Sequence, residues 1–241
     1  MITRSFKIFL LSLVLVFSGS VISKLNFKQT LVSPLPAIRE QKTEIMFAKQ
    51  IKPKLELKNN PFQLQKSFIP LVSAGSDFDE AAAYSVVDTE FGQVITSKNL
   101  SKRLPIASLT KIMTAVVALD LADKTEEFTI SASAASQIPT KVMLKEGERY
   151  SLETLLHFLL ISSANDSAEA IKDGIDRKFG ESIFIKAMNQ KAEFLGLKNT
   201  HFTNTKGLDG DAHFSSAEDL SLLSIYAIKE YPEIAAIVSK E

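Results

Sequence analysis

The sequence predicts an α+β fold in which one β-hairpin leads into a mainly helical lobe. Three observations carry this. Two short strand-like runs, 82–88 and 91–97, flank the turn residues Asp88-Thr89-Glu90-Phe91-Gly92. Pro105 precedes a long apolar run through Ile112, Met113, Val116, Val117 and Leu119, which is a helix-start signal. Leu152, Leu155, Leu156, Leu159 and Leu160 fall at i, i+3, i+4, i+7 and i+8, a wide apolar helix face.

The chain has 241 residues, enough for one good-sized domain plus extensions. Its formal net charge is zero, so nothing at whole-chain level points to nucleic acid. It has no cysteine, which removes disulfides, thiol catalysis and thiolate metal sites. Residues 1–25 read as a signal peptide or membrane anchor. Arg4 and Lys7 precede the apolar stretch 8–17, and the small residues Ser18, Gly19, Ser20 and Ser23 follow. The apolar stretch to Ile22 is short for a full span, which favours an export signal; an anchor through residues 8–22 is the alternative. Residues 26–75 read as a basic, proline-interrupted linker, a solvated spacer rather than a tether to anionic polymer, with a helical turn or two at 44–51.

The folded domain is expected over 76–241. After the hairpin, Ser108 should lie in the first turn of a helix that ends by 124–128. A short helix is expected at 131–136 and a turn at 145–148. Ser151 is the expected N-cap of the leucine-rich helix, with Glu153 in its first turn. Phe158 and Ile161 lie off the leucine face, so that helix should be deeply buried and deliver Ser163 and Asn165 into a loop. Helices follow over 166–179, stopped by Gly180, and over 181–195, with Phe184, Met188 and Leu195 inward and Gly196 as the residue after the end. After a loop at 199–214, Ser215-Ser216-Ala217-Glu218 reads as a capping box for a helix carrying Leu220, Leu222, Leu223 and Ile225, ended by Pro232.

Ser108-Leu109-Thr110-Lys111 is the chemical centre of this reading. Residues three apart on a helix share a face, so the Lys111 amine can reach the Ser108 hydroxyl. A serine hydroxyl becomes a good nucleophile beside a positioned base, and burial makes a lysine such a base by disfavouring its charged form. The helix N-terminus would offer backbone N–H groups to a developing oxyanion. The same tetrapeptide alone is equally a surface Ser and Lys on a helix. A second stretch, Ser162-Ser163-Ala164-Asn165, raises the first reading, because Ser-x-x-Lys and Ser-x-Asn occur together in penicillin-recognising serine enzymes. Rival constellations are weak. His157, His201 and His213 have no zinc-ligand spacing, and there is no Gly-x-Ser-x-Gly elbow. His157 reads as a helix-surface residue, and His213, near Asp209 and Asp211, as structural.

The flanks of these motifs, "LPIASLTKIMTAVVALD", "LKEGERYSLETLLHFLLISSANDSAEAI" and "NTKGLDGDAHFSSAEDLSLLS", resemble the D-alanyl-D-alanine carboxypeptidases. These are low-molecular-weight penicillin-binding proteins of β-lactamase/transpeptidase-like fold. The resemblance runs from about Phe78 to Glu241. It implies that the hairpin belongs to an antiparallel sheet, incomplete here, packed on the Ser108 helix. It implies Ser108 as nucleophile and, through its backbone N–H, as an oxyanion donor, Lys111 as its base, Ser163 as proton relay toward the leaving amine, and Asn165 as substrate-binding residue and support for Lys111. The substrate would be a peptidoglycan stem peptide ending in D-Ala-D-Ala, with β-lactams as covalent inhibitors, no metal or organic cofactor, and an extracytoplasmic location. The family's Lys-Thr-Gly strand is not in the sequence, and Thr205-Lys206-Gly207 has the wrong order. The chain is therefore expected to be a fragment with little activity of its own. A related β-lactamase or wall endopeptidase, or a non-catalytic peptidoglycan-binding protein, are the alternatives.

Overall fold

A computed structural model describes residues 80–240. The expected targeting segment, the linker, its helical turns and the first residues of the folded domain lie outside the described residues. The hairpin pairs β1 (Tyr84–Asp88) with β2 (Gln93–Lys98), from Tyr84↔Lys98 to Asp88↔Gln93, with a bulge between Val86 and Val87. The Asp88 carboxylate makes the turn by accepting from the N–H groups of Glu90 and Phe91, and its carbonyl accepts from Gly92 N–H at 2.8 Å.

Beyond the hairpin, α1 (Thr110–Leu121) is followed by β3 (Glu127–Thr129), α2 (Ala132–Ala135) and β4 (Arg149–Ser151). Then come α3 (Leu152–Ile161), α4 (Asn165–Phe179), α5 (Ile183–Phe194), α6 (Ala217–Glu230) and α7 (Pro232–Val238). Among the described residues no helix is long and apolar enough to cross a membrane.

Helix α1 is the axis of the lobe. Every residue of it but Ile112 is buried, and it packs against α3, α4, α5 and α6. A helix apolar on nearly all sides has to be a core helix. The leucine-rich α3 covers one side with Leu152, Leu155, Leu156 and Leu159, each almost fully buried, while Phe158 and Leu160 pack half-buried at the margin. Ile161, at its last turn, is 54% exposed, so the burial expected of the whole helix fails at that end. The hairpin lies on α6, where Val87, Val94 and Ile225 form a second apolar cluster and the Ser85 and Ser221 hydroxyls meet at 2.6 Å.

Three expectations needed correction. Ser108 lies in a 3-10 turn, Ala107–Leu109, that precedes the α-helix rather than in its first turn. Residues 127–129 and 149–151 form a second antiparallel pair instead of a helix end and the approach to a cap. That pair sits against α4, where Gly174 leaves room for the Phe128 ring: a Cβ there would meet it at 2.1 Å. The cap of α6 is one residue later than the expected box. Ser216 accepts from Asp219 N–H, while Asp219 reaches back to Asn199 N–H and the Thr200 hydroxyl. Pro232 does end α6, and it also opens α7, where a missing N–H costs nothing.

A buried polar knot ties three helices together. Asp120 on α1 pairs with Lys191 on α5 at 2.8 Å, and neither side chain is more than 4% exposed. The Tyr226 and Tyr231 hydroxyls accept from Lys191 at 3.2 and 3.4 Å, and Tyr231 donates to Asp120 at 2.9 Å. Burial and the Asp120 carboxylate keep the Tyr231 phenol protonated.

Candidate active site

Three segments far apart in sequence meet at the start of α1. The first is the nucleophile turn. Ala107 has φ +46, and its carbonyl accepts both the Thr110 N–H and the Thr110 hydroxyl, the latter at 2.9 Å. The second is the α3–α4 junction. Ser163, at φ +53, turns the chain so that buried Ala164 precedes Asn165 as the first residue of α4. The third is the loop after α5. There the Asn204 carboxamide oxygen accepts from the N–H groups of Lys206, Gly207 and Leu208 at 3.0, 2.7 and 3.1 Å.

The Lys111 amine is where they converge. Its Nζ lies 3.1 Å from Ser108 Oγ, 2.9 Å from Asn165 Oδ1 and 3.0 Å from the Lys206 carbonyl oxygen. Burial pushes this amine down from the ordinary lysine value, and the Lys206 ammonium acts in the same direction, to about 8. The orientation of the Asn165 amide is fixed, because its Nδ2 donates to the Ile138 carbonyl at 3.1 Å and so leaves Oδ1 toward Lys111. Asn165 N–H donates to the Thr140 carbonyl at 2.7 Å. The next residue, Asp166, is fully buried and accepts from Val142 and Leu144 N–H at 3.1 and 3.0 Å. The 138–144 segment is thereby clasped to the head of α4.

Two partners of Lys111 only accept hydrogen bonds: the Asn165 oxygen and the Lys206 carbonyl. A neutral amine has two hydrogens and one lone pair. Those two acceptors take both hydrogens, and the lone pair is left for the Ser108 O–H. The ammonium form instead donates to all three. The site therefore arranges Lys111 to receive a proton from Ser108 once it is neutral.

Of the four residues singled out by motif, the structure brings Ser108, Lys111 and Asn165 together by hydrogen bonds. Ser163 is placed on the same junction, but its Oγ is buried with no hydrogen-bond partner and makes no bond to Lys111. Sequence reasoning read His213 as structural without identifying its partners, and it passed over the other residues that hold the nucleophile turn. His213, 2% exposed, accepts from Thr203 N–H at Nδ1 at 3.1 Å. Its remaining ring proton therefore sits on Nε2, 2.7 Å from the Thr110 hydroxyl. Burial pushes this imidazole below its usual value, with His201 adding to that and Asp209 opposing it. Thr114 donates to the Thr205 carbonyl at 2.8 Å, one turn beyond Thr110. Gly207, at φ +88, lies so close to the nucleophile turn that a Cβ would fall 1.7 Å from the Ala107 oxygen. The signal for this loop was the Asn204-x-x-Gly207 spacing, a side-chain acceptor followed by a residue free to adopt positive φ. Among the described residues no three His, Asp or Glu side chains converge as metal ligands would.

Comparison with known proteins bears on this geometry. The family profile described as D-alanyl-D-alanine carboxypeptidase, peptidase family S11, matches residues 72–241. D-alanyl-D-alanine carboxypeptidase DacF of Bacillus subtilis is 35% identical over 155 residues, covering 62% of this chain and 39% of that protein. DacD of Escherichia coli is 36% identical over 194 residues, covering 76% and 47%. The crystal structure of the carboxypeptidase DacD from Francisella tularensis superposes with a TM-score of 0.64 at 31% identity, over 72% of this chain and 42% of that one. The chain thus spans less than half the length of the curated relatives described here. A profile match that takes in the nucleophile turn, the α3–α4 junction and the loop after α5 shows that the chain belongs to the D-alanyl-D-alanine carboxypeptidase family.

Proposed function

We propose that this chain carries the nucleophile-bearing lobe of a serine D-alanyl-D-alanine carboxypeptidase that trims peptidoglycan stem peptides. The observation that carries the reading is the three-way setting of Lys111, whose two pure acceptors direct its lone pair at Ser108. Ser108 Oγ attacks the carbonyl between the two terminal D-alanines while its proton passes to Lys111. The Ser108 N–H supplies an oxyanion donor. As the tetrahedral intermediate collapses, the C–N bond breaks, and Ser163 relays a proton from Lys111 to the departing D-alanine amine. Its buried, unpartnered hydroxyl is available for that bond. Asn165 holds Lys111 and hydrogen-bonds the substrate backbone. Water then cleaves the ester and restores Ser108. A β-lactam enters by the same attack and forms the same ester.

The reading extends to the chain's organisation. Residues 1–25 serve export or anchoring, 26–75 form a spacer, and 76–241 form the catalytic lobe. This places the site outside the cytoplasm, where its polymer is. The neighbouring profile match from residue 72 supports the last boundary.

The test is capture of a labelled penicillin by the full chain, located by peptide mass. Capture stops at the ester and needs no attack by water, so it is expected on Ser108 even where peptide turnover is slow, and it should vanish in Ser108→Ala. Peptidoglycan binding that survives Ser108→Ala, without any labelling, would overturn the enzymatic reading.

A further inference from the structure

Residue 206 touches the site twice. Its backbone carbonyl is one of the acceptors of Lys111, and its ammonium lies on Glu169 Oε2 at 2.6 Å. Both side chains of that pair are largely enclosed, 11% and 10% exposed. Glu169 follows Asn165 by four residues on α4, so the two share a face of that helix. One face thus offers an amide oxygen to Lys111 and, a turn later, a carboxylate to Lys206. The other Glu169 oxygen is 3.4 Å from Lys172, itself paired with Asp173 at 3.1 Å and Asp176 at 3.4 Å.

We propose that Lys206 is a positioning residue for the proton transfer of Ser108, and that Glu169 is the clamp that keeps the Lys206 ammonium beside the Lys111 amine. This rests on Lys111 being the base. A second cation fixed near an amine disfavours the amine's protonated form, so Lys206 helps Lys111 stay ready to accept. A free lysine side chain would leave for solvent, where its field is screened. The carboxylate of Glu169 keeps it in place. Other charged groups face this region from each element. Asp166 and Lys172 stand on α4, with Asp166 committed to the 138–144 backbone. Lys141 is turned to the Ala135 carbonyl. His213 reaches α1 only through Thr110. Lys206 is the charged group that acts most directly on Lys111.

The test is a pH titration of the Lys111 amine by NMR of the full chain carrying ¹³C-labelled lysine, beside the pH dependence of Ser108 acylation by a labelled penicillin. Lys206→Met should move both midpoints to higher pH and slow acylation about 3–10-fold at pH 7. The difference should shrink as pH rises past the Lys111 titration. Lys206→Arg should restore the midpoint. Glu169→Ala should move it in the same direction, and Glu169→Ala with Lys206→Met should move it no further than Lys206→Met alone. An unmoved midpoint in Lys206→Met, failure of the arginine to restore it, or additive effects of the two changes would overturn the proposal. A slower rate at every pH with an unmoved midpoint would mark Lys206 as a packing residue only. A midpoint that moves as expected in a chain that never acylates would uphold this coupling while refuting the enzymatic reading.

Discussion

Replacing Gly207 by alanine should disable the site while leaving the helical lobe standing. At φ +88 an alanine is strained by about 1–2 kcal/mol. The larger effect is steric. The new Cβ would fall 1.7 Å from the Ala107 oxygen and 2.9 Å from the Ser108 nitrogen, where ordinary contact begins near 3.4 Å. Loop and nucleophile turn must therefore part by about 1.7 Å, since close-packed interiors leave no slack to absorb it. That displacement pulls the Lys206 carbonyl from Lys111 and the Ala107 carbonyl from Thr110. A misplacement of about 1 Å already costs about 10²-fold in rate, so capture of a labelled penicillin on Ser108 should slow by at least that much. The control lies three residues on, at Gly210, where a Cβ meets nothing within 4 Å. Gly210→Ala should react as the parent does. The assay is the single-turnover rate of mass gain on the Ser108 peptide, beside a urea unfolding curve for each variant. Gly207→Ala reacting at close to the parent rate would refute the claim that this close approach positions the site.

Three further outcomes follow from the same contacts. Acylation of Ser108 should rise about tenfold per pH unit up to about 8 and then level off, following the neutral form of Lys111, and Lys111→Arg should abolish it, because a guanidinium stays protonated. His213 is held neutral on folding. The stability this contributes is present above the unfolded value of 6.5 and is lost as pH falls from there through the lower folded value. The melting temperature of His213→Gln should fall less between pH 7.5 and 5.5 than that of the parent, whereas His213→Phe, which breaks the link to Thr110 at any pH, should slow acylation about tenfold. Lys191→Met strips the buried Asp120 carboxylate of its ammonium and should cost about 3–5 kcal/mol in urea unfolding without altering the Lys111 titration.

What the sequence revealed was mostly local. The hairpin followed from Asp88 and Gly92, α3 from its leucine spacing and the Ser151 cap, and the end of α5 from Gly196, which adopts φ +71. Each depends on neighbours within a few residues. The short strands β3 and β4 escaped because three residues carry too little alternation to be read, and their pairing joins positions about twenty residues apart. The nucleophile turn was placed one step too far into the helix, since a 3-10 turn and a first α-turn share their starting signals. In the site, motif spacing identified the Ser108 and Lys111 pair. His213 was legible as structural but not as a support of the nucleophile turn, because its partner, Thr110, lies 103 positions earlier. Glu169 and Lys206 were invisible for the same reason, 37 residues apart and joined only by the fold.

The distances along the chain that hid these partners also govern when the serine becomes reactive. Lys111 meets Asn165 across 54 residues and the Lys206 carbonyl across 95. In an unfolded chain neither acceptor is present, and the amine reverts to the ordinary lysine value of 10.5. At neutral pH its unprotonated fraction is then about 300-fold smaller. A newly made, unfolded polypeptide accordingly carries an inert Ser108. The hydroxyl is armed only where the loop after α5 has closed over α1. Penicillin capture would then report the closing of that loop.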